Sequence, residues 1–118
     1  MITLMSEPRL ELEGAAWELV LWACEPFDEA YSFRDLFAQI TAVLDKKWHV
    51  VMTLPPEQAG EDFVYGALHW GPTAYEVYFE RSLGYVQFSA ASESSARELL
   101  EALAQDLVWP EGSDWGAG

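Results

Sequence analysis

The side chains that could do chemistry are few and lie far apart along the chain. Cys24 is the single cysteine, and His49 and His69 are the two histidines. A cysteine nucleophile needs a base within hydrogen-bond reach, and no sequence pattern links either histidine to Cys24. A cysteine at the end of an apolar strand is more often a small core residue. We therefore predict no catalytic residues and no enzymatic activity.

Metal and nucleotide sites are not indicated either. The two histidines do not belong to a pattern of the HExxH type. His69 and Glu76 could face each other across a turn, but a surface pair explains that placement better than a set of metal ligands. The sequence contains neither GxxxxGK nor GxGxxG. Adjacent acids such as Glu61 and Asp62 lie in loop-like sequence, where carboxyl groups stay solvated and ionised. We expect no metal and no cofactor.

The charge balance is the most informative property of the composition. The 118 residues include 20 Asp and Glu against 6 Lys and Arg, which gives a formal net charge of −14. Such a charge repels phosphates and anionic membrane surfaces and attracts basic proteins. We therefore expect a basic protein partner, with no binding to nucleic acid or membrane. The alternative is that the acidity only keeps an aromatic-rich surface soluble.

Composition also bounds the domain organisation and the compartment. With 51% hydrophobic residues the chain is too apolar for a disordered acidic segment, and its length fits one domain. We place that domain at residues 1–110 and expect a flexible, glycine-rich tail at 111–118. The single cysteine, the lack of a charged secretory leader and the lack of a long apolar run favour the cytoplasm.

Two amphipathic helices are predicted from apolar residues spaced three and four apart. The first stripe runs through residues 33–47, and Ser32 before it has the side chain of a helix cap. The second stripe runs through residues 96–108, with Ser95 as the cap and Glu98 at the capping-box position.

Alternating apolar residues predict the strands, at 17–24, 48–54, 63–70, 73–80 and 85–90. Residues 10–13 either lengthen the first strand across a bulge at Gly14 or form a short hairpin with it. The order β-α-β-β-β-β-α predicts an α+β fold, in which two helices cover one face of an antiparallel sheet of four to five strands. The other face is expected to stay partly open.

Aromatic and acidic side chains share the faces of two predicted strands. Glu76, Tyr78 and Glu80 alternate with apolar residues in 73–80, and Glu18 shares a face with Trp22. Tyr and Trp supply contact area, while carboxylates steer a basic surface into place. We predict that these five residues bind the partner. The alternative is that Trp22 lies in the core and Tyr78 only packs across its strand.

Three functions are compatible with these patterns. The first is a protein-binding module, most concretely an immunity or antitoxin-type inhibitor that masks a basic, nuclease-like protein. The second is a secretion-type chaperone for an effector protein, which would dimerise, so the expected state is a monomer or homodimer. The third is a small-ligand site between sheet and helices, lined by aromatic and histidine side chains: Trp48, Tyr65, His69 and Trp70.

Overall fold

The computed structural model describes residues 1–110, so the predicted tail at 111–118 lies outside the described residues. The helices are α1 (Phe33–Leu44) and α2 (Glu93–Leu103), and a 3-10 turn follows α2 at Ala104–Asp106. The strands, in chain order, are β1 (Ile2–Thr3), β2 (Arg9–Glu13), β3 (Ala16–Trp22), β4 (Val50–Thr53), β5 (Phe63–Trp70), β6 (Thr73–Glu80), β7 (Tyr85–Ala90) and β8 (Leu107–Val108).

Six of these strands form one antiparallel sheet in the order β2-β3-β7-β6-β5-β4, and β1 pairs with β8 in parallel. The predicted α+β class, with two helices on an antiparallel sheet, is confirmed. The sheet has six strands rather than four to five because β2 is a separate edge strand. Glu13 pairs with Ala16, which leaves Gly14 and Ala15 as a two-residue turn with Gly14 at φ 61°. The hairpin, not the bulged strand, is the correct alternative.

Both helices pack on the same face of the sheet, and the core lies between them. Its side chains come from alternate positions of β3, β5, β6 and β7, among them Leu19, Leu68, Val77 and Phe88, all fully buried. Two polar groups in this layer are hydrogen bonded. Trp70 Nε1 donates to the carbonyl of Leu44 at 3.0 Å, and the Tyr75 hydroxyl donates to the carbonyl of Ser95 at 2.8 Å.

The start of α1 agrees with the prediction, and its end is earlier. Ser32 accepts a hydrogen bond from the backbone N–H of Asp35, as a cap does. The helix ends at Leu44 rather than at residue 47. The backbone N–H groups of Lys46 and Lys47 donate to carbonyls three residues back, those of Val43 and Leu44, so the chain tightens into turns there.

The predicted bounds of α2 are wrong at both ends. Ser92 is the cap, because its hydroxyl oxygen accepts from the N–H of Ser95 at 3.1 Å, so the helix begins at Glu93. Ser92 provides the same capping chemistry one turn before the predicted cap. The helix ends at Leu103, and residues 107–108 form β8 because they pair with β1 at the other end of the chain.

Neither helix of residues 1–110 is long and apolar enough to span a membrane.

Candidate protein-binding surface

The five predicted partner-binding residues all lie on the sheet face opposite the helices, which we call the open face. Strand pairing shows this directly. Glu18 on β3 is opposite Ser89 on β7, which is opposite Glu76 on β6. Two rows further along the same face, Trp22 is opposite Tyr85, which is opposite Glu80. Tyr78 lies between Glu76 and Glu80 in the alternation of β6. None of the described helices covers this face.

Carboxylates dominate the charge of the open face. Among residues 1–110 that point to this side of the six strands, the one Lys or Arg is Arg9, whose Nη2 lies 2.6 Å from Glu11 Oε2. The acids on this side come from β2, β3 and β6: Glu11, Glu13, Glu18, Glu76 and Glu80. The face therefore keeps a net negative charge after the Arg9–Glu11 pair is discounted.

Glu18 is the most enclosed of these acids. It is 9% exposed, and its Oε2 accepts a hydrogen bond from Ser89 Oγ at 3.0 Å. Glu11 is directly opposite Glu18 on the neighbouring strand. Like charges placed opposite each other on paired strands repel, and the Arg9 guanidinium beside Glu11 offsets part of this repulsion.

Aromatic side chains form the other half of the open face. The Trp22 and Tyr85 rings meet edge to face with centroids 6.2 Å apart. Tyr78 has two ring neighbours, Phe63 and Tyr65, each with its centroid at 6.4 Å. Phe63 and Tyr65 are 61% and 55% exposed. The face therefore presents a large apolar contact area beside its carboxylates.

Hydrogen bonds fix the rings and carboxylates relative to one another. The Tyr65 hydroxyl donates to Glu76 at 2.6 Å, and the Tyr78 hydroxyl donates to Glu80 at 2.8 Å. These bonds to carboxylates raise the pKa of both phenols. A bond from Ser82 and then the one from Tyr78 lower the pKa of Glu80, which keeps it ionised. The surface is preorganised, so little further side-chain freedom would be lost on binding.

A shallow depression of about 370 Å³ lies on the open face beside Glu76. Its lining is mostly small, and Ser89 and His69 border it. The small residues are Ala16, Ala67, Ala74 and Ala91. Their lack of side-chain bulk leaves an open space next to the Glu76 carboxylate.

Sequence reasoning missed Phe63, Tyr85 and Ser89, and it placed Tyr65 elsewhere. The period-2 alternation of 63–70 and 85–90 contained the signal. It could not show on which side of the sheet each alternate set lies, because that depends on how the strands pair.

The proposed ligand-lining set does not converge on one pocket. Trp70 is buried on the helix side and meets Trp48 edge to face at 5.1 Å. Tyr65 and His69 alternate with Trp70 along β5 and so point to the open face. The four side chains are divided between two faces of the sheet, and the space between sheet and helices is filled by the core.

The environment of Cys24 does not activate its thiol. Cys24 is buried, and burial followed by the negative charge of Asp28 raises the pKa of its thiol. A thiol with a raised pKa is protonated at neutral pH and is a poor nucleophile. Residues 1–110 contain no group of three His, Cys, Asp or Glu side chains placed to hold a metal ion.

No family model, no curated protein and no solved structure matches the chain.

Proposed function

We propose that this protein is a binding module for a basic protein and that the open face is its docking surface. The most concrete form of the proposal is an immunity or antitoxin-type inhibitor that masks a cationic, nuclease-like protein in the cytoplasm. The observation that carries it is the placement of Glu18, Trp22, Glu76, Tyr78 and Glu80 on one sheet face that the described helices leave uncovered.

Charge complementarity supports a basic partner. The open face has five carboxylates and one arginine, and the whole chain has a net charge of −14. A nuclease must bind phosphates with Lys and Arg, so its cleft offers the opposite charge. Long-range attraction between such surfaces speeds association and weakens with salt.

The aromatic side chains supply the short-range part of the interaction. Trp and Tyr are the residue types that most often dominate binding energy at protein interfaces. Trp22, Tyr65 and Tyr78 are held by hydrogen bonds at the positions they would occupy in a complex. A rigid, preformed surface suits an inhibitor that must recognise one folded partner. No observation in residues 1–110 favours the chaperone or the ligand-pocket alternative over this one.

The experiment is affinity capture of proteins from a lysate of the source cells at low and high salt. We expect one stoichiometric basic protein that is retained at low salt and lost at high salt. The double variant Glu76→Lys/Tyr78→Ala should weaken this binding at least about tenfold, which corresponds to about 1.4 kcal/mol. Circular dichroism and a thermal melt should show that the variant remains folded.

The matched control is Glu101→Lys, which makes the same charge change at an exposed position of α2, on the helix side of the sheet. It should bind as the wild type does. Equal loss in both variants would show that only net charge matters. Absence of any basic partner, or undiminished binding by the double variant, would exclude the open face as the docking surface.

A further inference from the structure

The turn at residues 25–28 contains a residue type that its backbone disfavours. The N–H of Asp28 donates to the carbonyl of Glu25 at 3.3 Å, Pro26 is second in the turn, and Phe27 is third with φ 61°. A positive φ at the third position is the pattern of a type II turn, which normally has Gly or Asn there. Phe27 is the one non-glycine residue of positive φ in residues 1–110. A bulky side chain in this conformation is strained.

Packing of the side chain does not offset this strain. Phe27 is 72% exposed, and among the large hydrophobic side chains of residues 1–110 only that of Met1 is more exposed. An exposed phenyl ring contributes little to the stability of the fold. The position thus combines a backbone cost with a side chain that is mostly in solvent, which is typical of a functional residue.

The surrounding structure holds the turn in place. The N–H of Phe27 donates to the carbonyl of Arg81 at 2.8 Å. The guanidinium of Arg81 donates to the carbonyls of Asp28 and Tyr31 at 2.5 and 3.2 Å, and it lies over the Phe33 ring at 5.4 Å. The aromatic side chain of Phe27 is therefore presented to solvent from a fixed backbone.

The turn lies against the end of β6, where the chain leaves the sheet at Arg81. Arg81 follows Glu80, and its own N–H donates to the carbonyl of Asp62 at 2.8 Å. Arg81 thus connects the Phe27 turn to the start of β5, where exposed Phe63 is opposite Glu80 on the open face. The acids Glu25 and Glu29 beside Phe27 are exposed as well.

We infer that Phe27 is an anchor residue that inserts its ring into an apolar pocket on the basic partner, a pocket rimmed by Lys or Arg. This inference rests on the proposed function and adds a partner-binding residue outside the sheet. Because the backbone of Phe27 is already fixed, binding has to order only the two side-chain torsions of the ring, and aromatic residues often dominate interface energetics. The flanking acids complement a basic rim around the pocket.

The first test measures folding alone. The variant Phe27→Asn keeps a residue that tolerates positive φ and removes the ring. We expect its urea unfolding midpoint to equal or exceed that of the wild type. A lower midpoint would show that the ring stabilises the fold, which would overturn the inference.

The second test locates the contact. The photoreactive residue p-benzoylphenylalanine replaces Phe27, Tyr65 or Leu12 in separate full-length proteins. Leu12 is similarly exposed but pairs with Trp17 on the helix side of the edge strand, so it serves as the control. The probe is the basic protein fraction that a cation-exchange resin retains from the source cell lysate.

We expect positions 27 and 65 to crosslink to the same basic protein, the adduct of position 27 to map to apolar residues, and position 12 to give no adduct. The variant Phe27→Asn should bind that protein at least about tenfold more weakly. An adduct from position 65 without one from 27, or undiminished binding by Phe27→Asn, overturns the anchor and leaves the proposed function intact. No adduct from either position overturns both.

Discussion

The hydroxyl of Tyr65 donates a hydrogen bond to Glu76 across β5 and β6, with 2.6 Å between the two oxygens. The residues are diagonal neighbours, because Tyr65 pairs with Tyr78 and Glu76 pairs with Ala67. An exposed ring is thereby held beside an exposed carboxylate. Within β6, the Tyr78 hydroxyl likewise donates a hydrogen bond to the Glu80 carboxylate.

This bond makes the pKa of Tyr65 depend on Glu76. The pKa of Tyr65 is raised first by its hydrogen bond to the Glu76 carboxylate, then by desolvation of the phenol, and then by the negative charge of Glu76. We expect Glu76→Gln to lower the pKa of Tyr65 toward its ordinary value. Ultraviolet titration of phenolate absorbance measures it, and Tyr65→Phe identifies the transition that belongs to this residue. An unchanged titration in Glu76→Gln would show that the bond is absent in solution.

Alkaline stability should depend on Tyr75. Burial raises its pKa from 10.0 to about 12, and its hydroxyl donates to the carbonyl of Ser95. The unfolded chain loses this proton near 10 and the folded chain near 12. The contribution to stability is therefore complete below 10 and lost as pH rises through that window, by at most about 1.4 kcal/mol per pH unit.

Denaturant unfolding of the wild type and of Tyr75→Phe across this range tests the assignment. The variant should lose stability less steeply with rising pH. Tyr31, whose pKa burial also raises to about 12, remains in both proteins and accounts for part of the residual slope. Equal slopes in the two proteins would contradict a role for Tyr75.

The ion pair between Arg34 and Glu61 should stabilise the loop before β5. Arg34 Nε and Nη2 lie 2.7 and 3.0 Å from the two carboxylate oxygens, and Nη2 also donates to the carbonyl of Pro55 at 2.8 Å. This hydrogen bonding lowers the pKa of Glu61. The contribution is therefore present above the ordinary pKa and is lost as pH falls below it.

We expect Glu61→Gln to reduce the free energy of unfolding at neutral pH by about 1–2 kcal/mol. The stability of this variant should also fall less steeply as the pH is lowered. Glu57→Gln is the matched control, because Glu57 lies 3.8 Å from the same guanidinium and is largely exposed. Its effect should be close to zero. Equal effects of the two variants would show that the two close hydrogen bonds between Arg34 and Glu61 add nothing to stability beyond the charge.

Gly84 should tolerate no side chain, whereas Gly14 should tolerate one at modest cost. Both have positive φ, at 74° and 61°. A Cβ at Gly84 would clash with the carbonyl oxygen of Cys24, while a Cβ at Gly14 would meet open space. We expect Gly14→Ala to cost about 1 kcal/mol and Gly84→Ala at least about 2 kcal/mol more, as measured by urea unfolding. Similar costs would mean that the chain near Cys24 can move away.

Local patterns in the sequence determined most of the architecture. Apolar spacing located both helices and the main strands, and the alternation in β6 put Glu76, Tyr78 and Glu80 on one face, because side-chain direction in a strand repeats every two residues. Ser32 was identifiable as a cap because its hydroxyl acts on a neighbour three residues away. The acidic net charge also follows from composition alone.

Only the tertiary structure decided how these elements meet. Strand register brought Glu18 and Glu76 to either side of Ser89, and the pairing of β1 with β8 ended α2 earlier than its apolar stripe suggested. The positive φ of Phe27 depends on bonds to Arg81, which is distant in sequence. Such pairings depend on contacts between residues far apart along the chain, and a local period carries no information about which strand lies beside which.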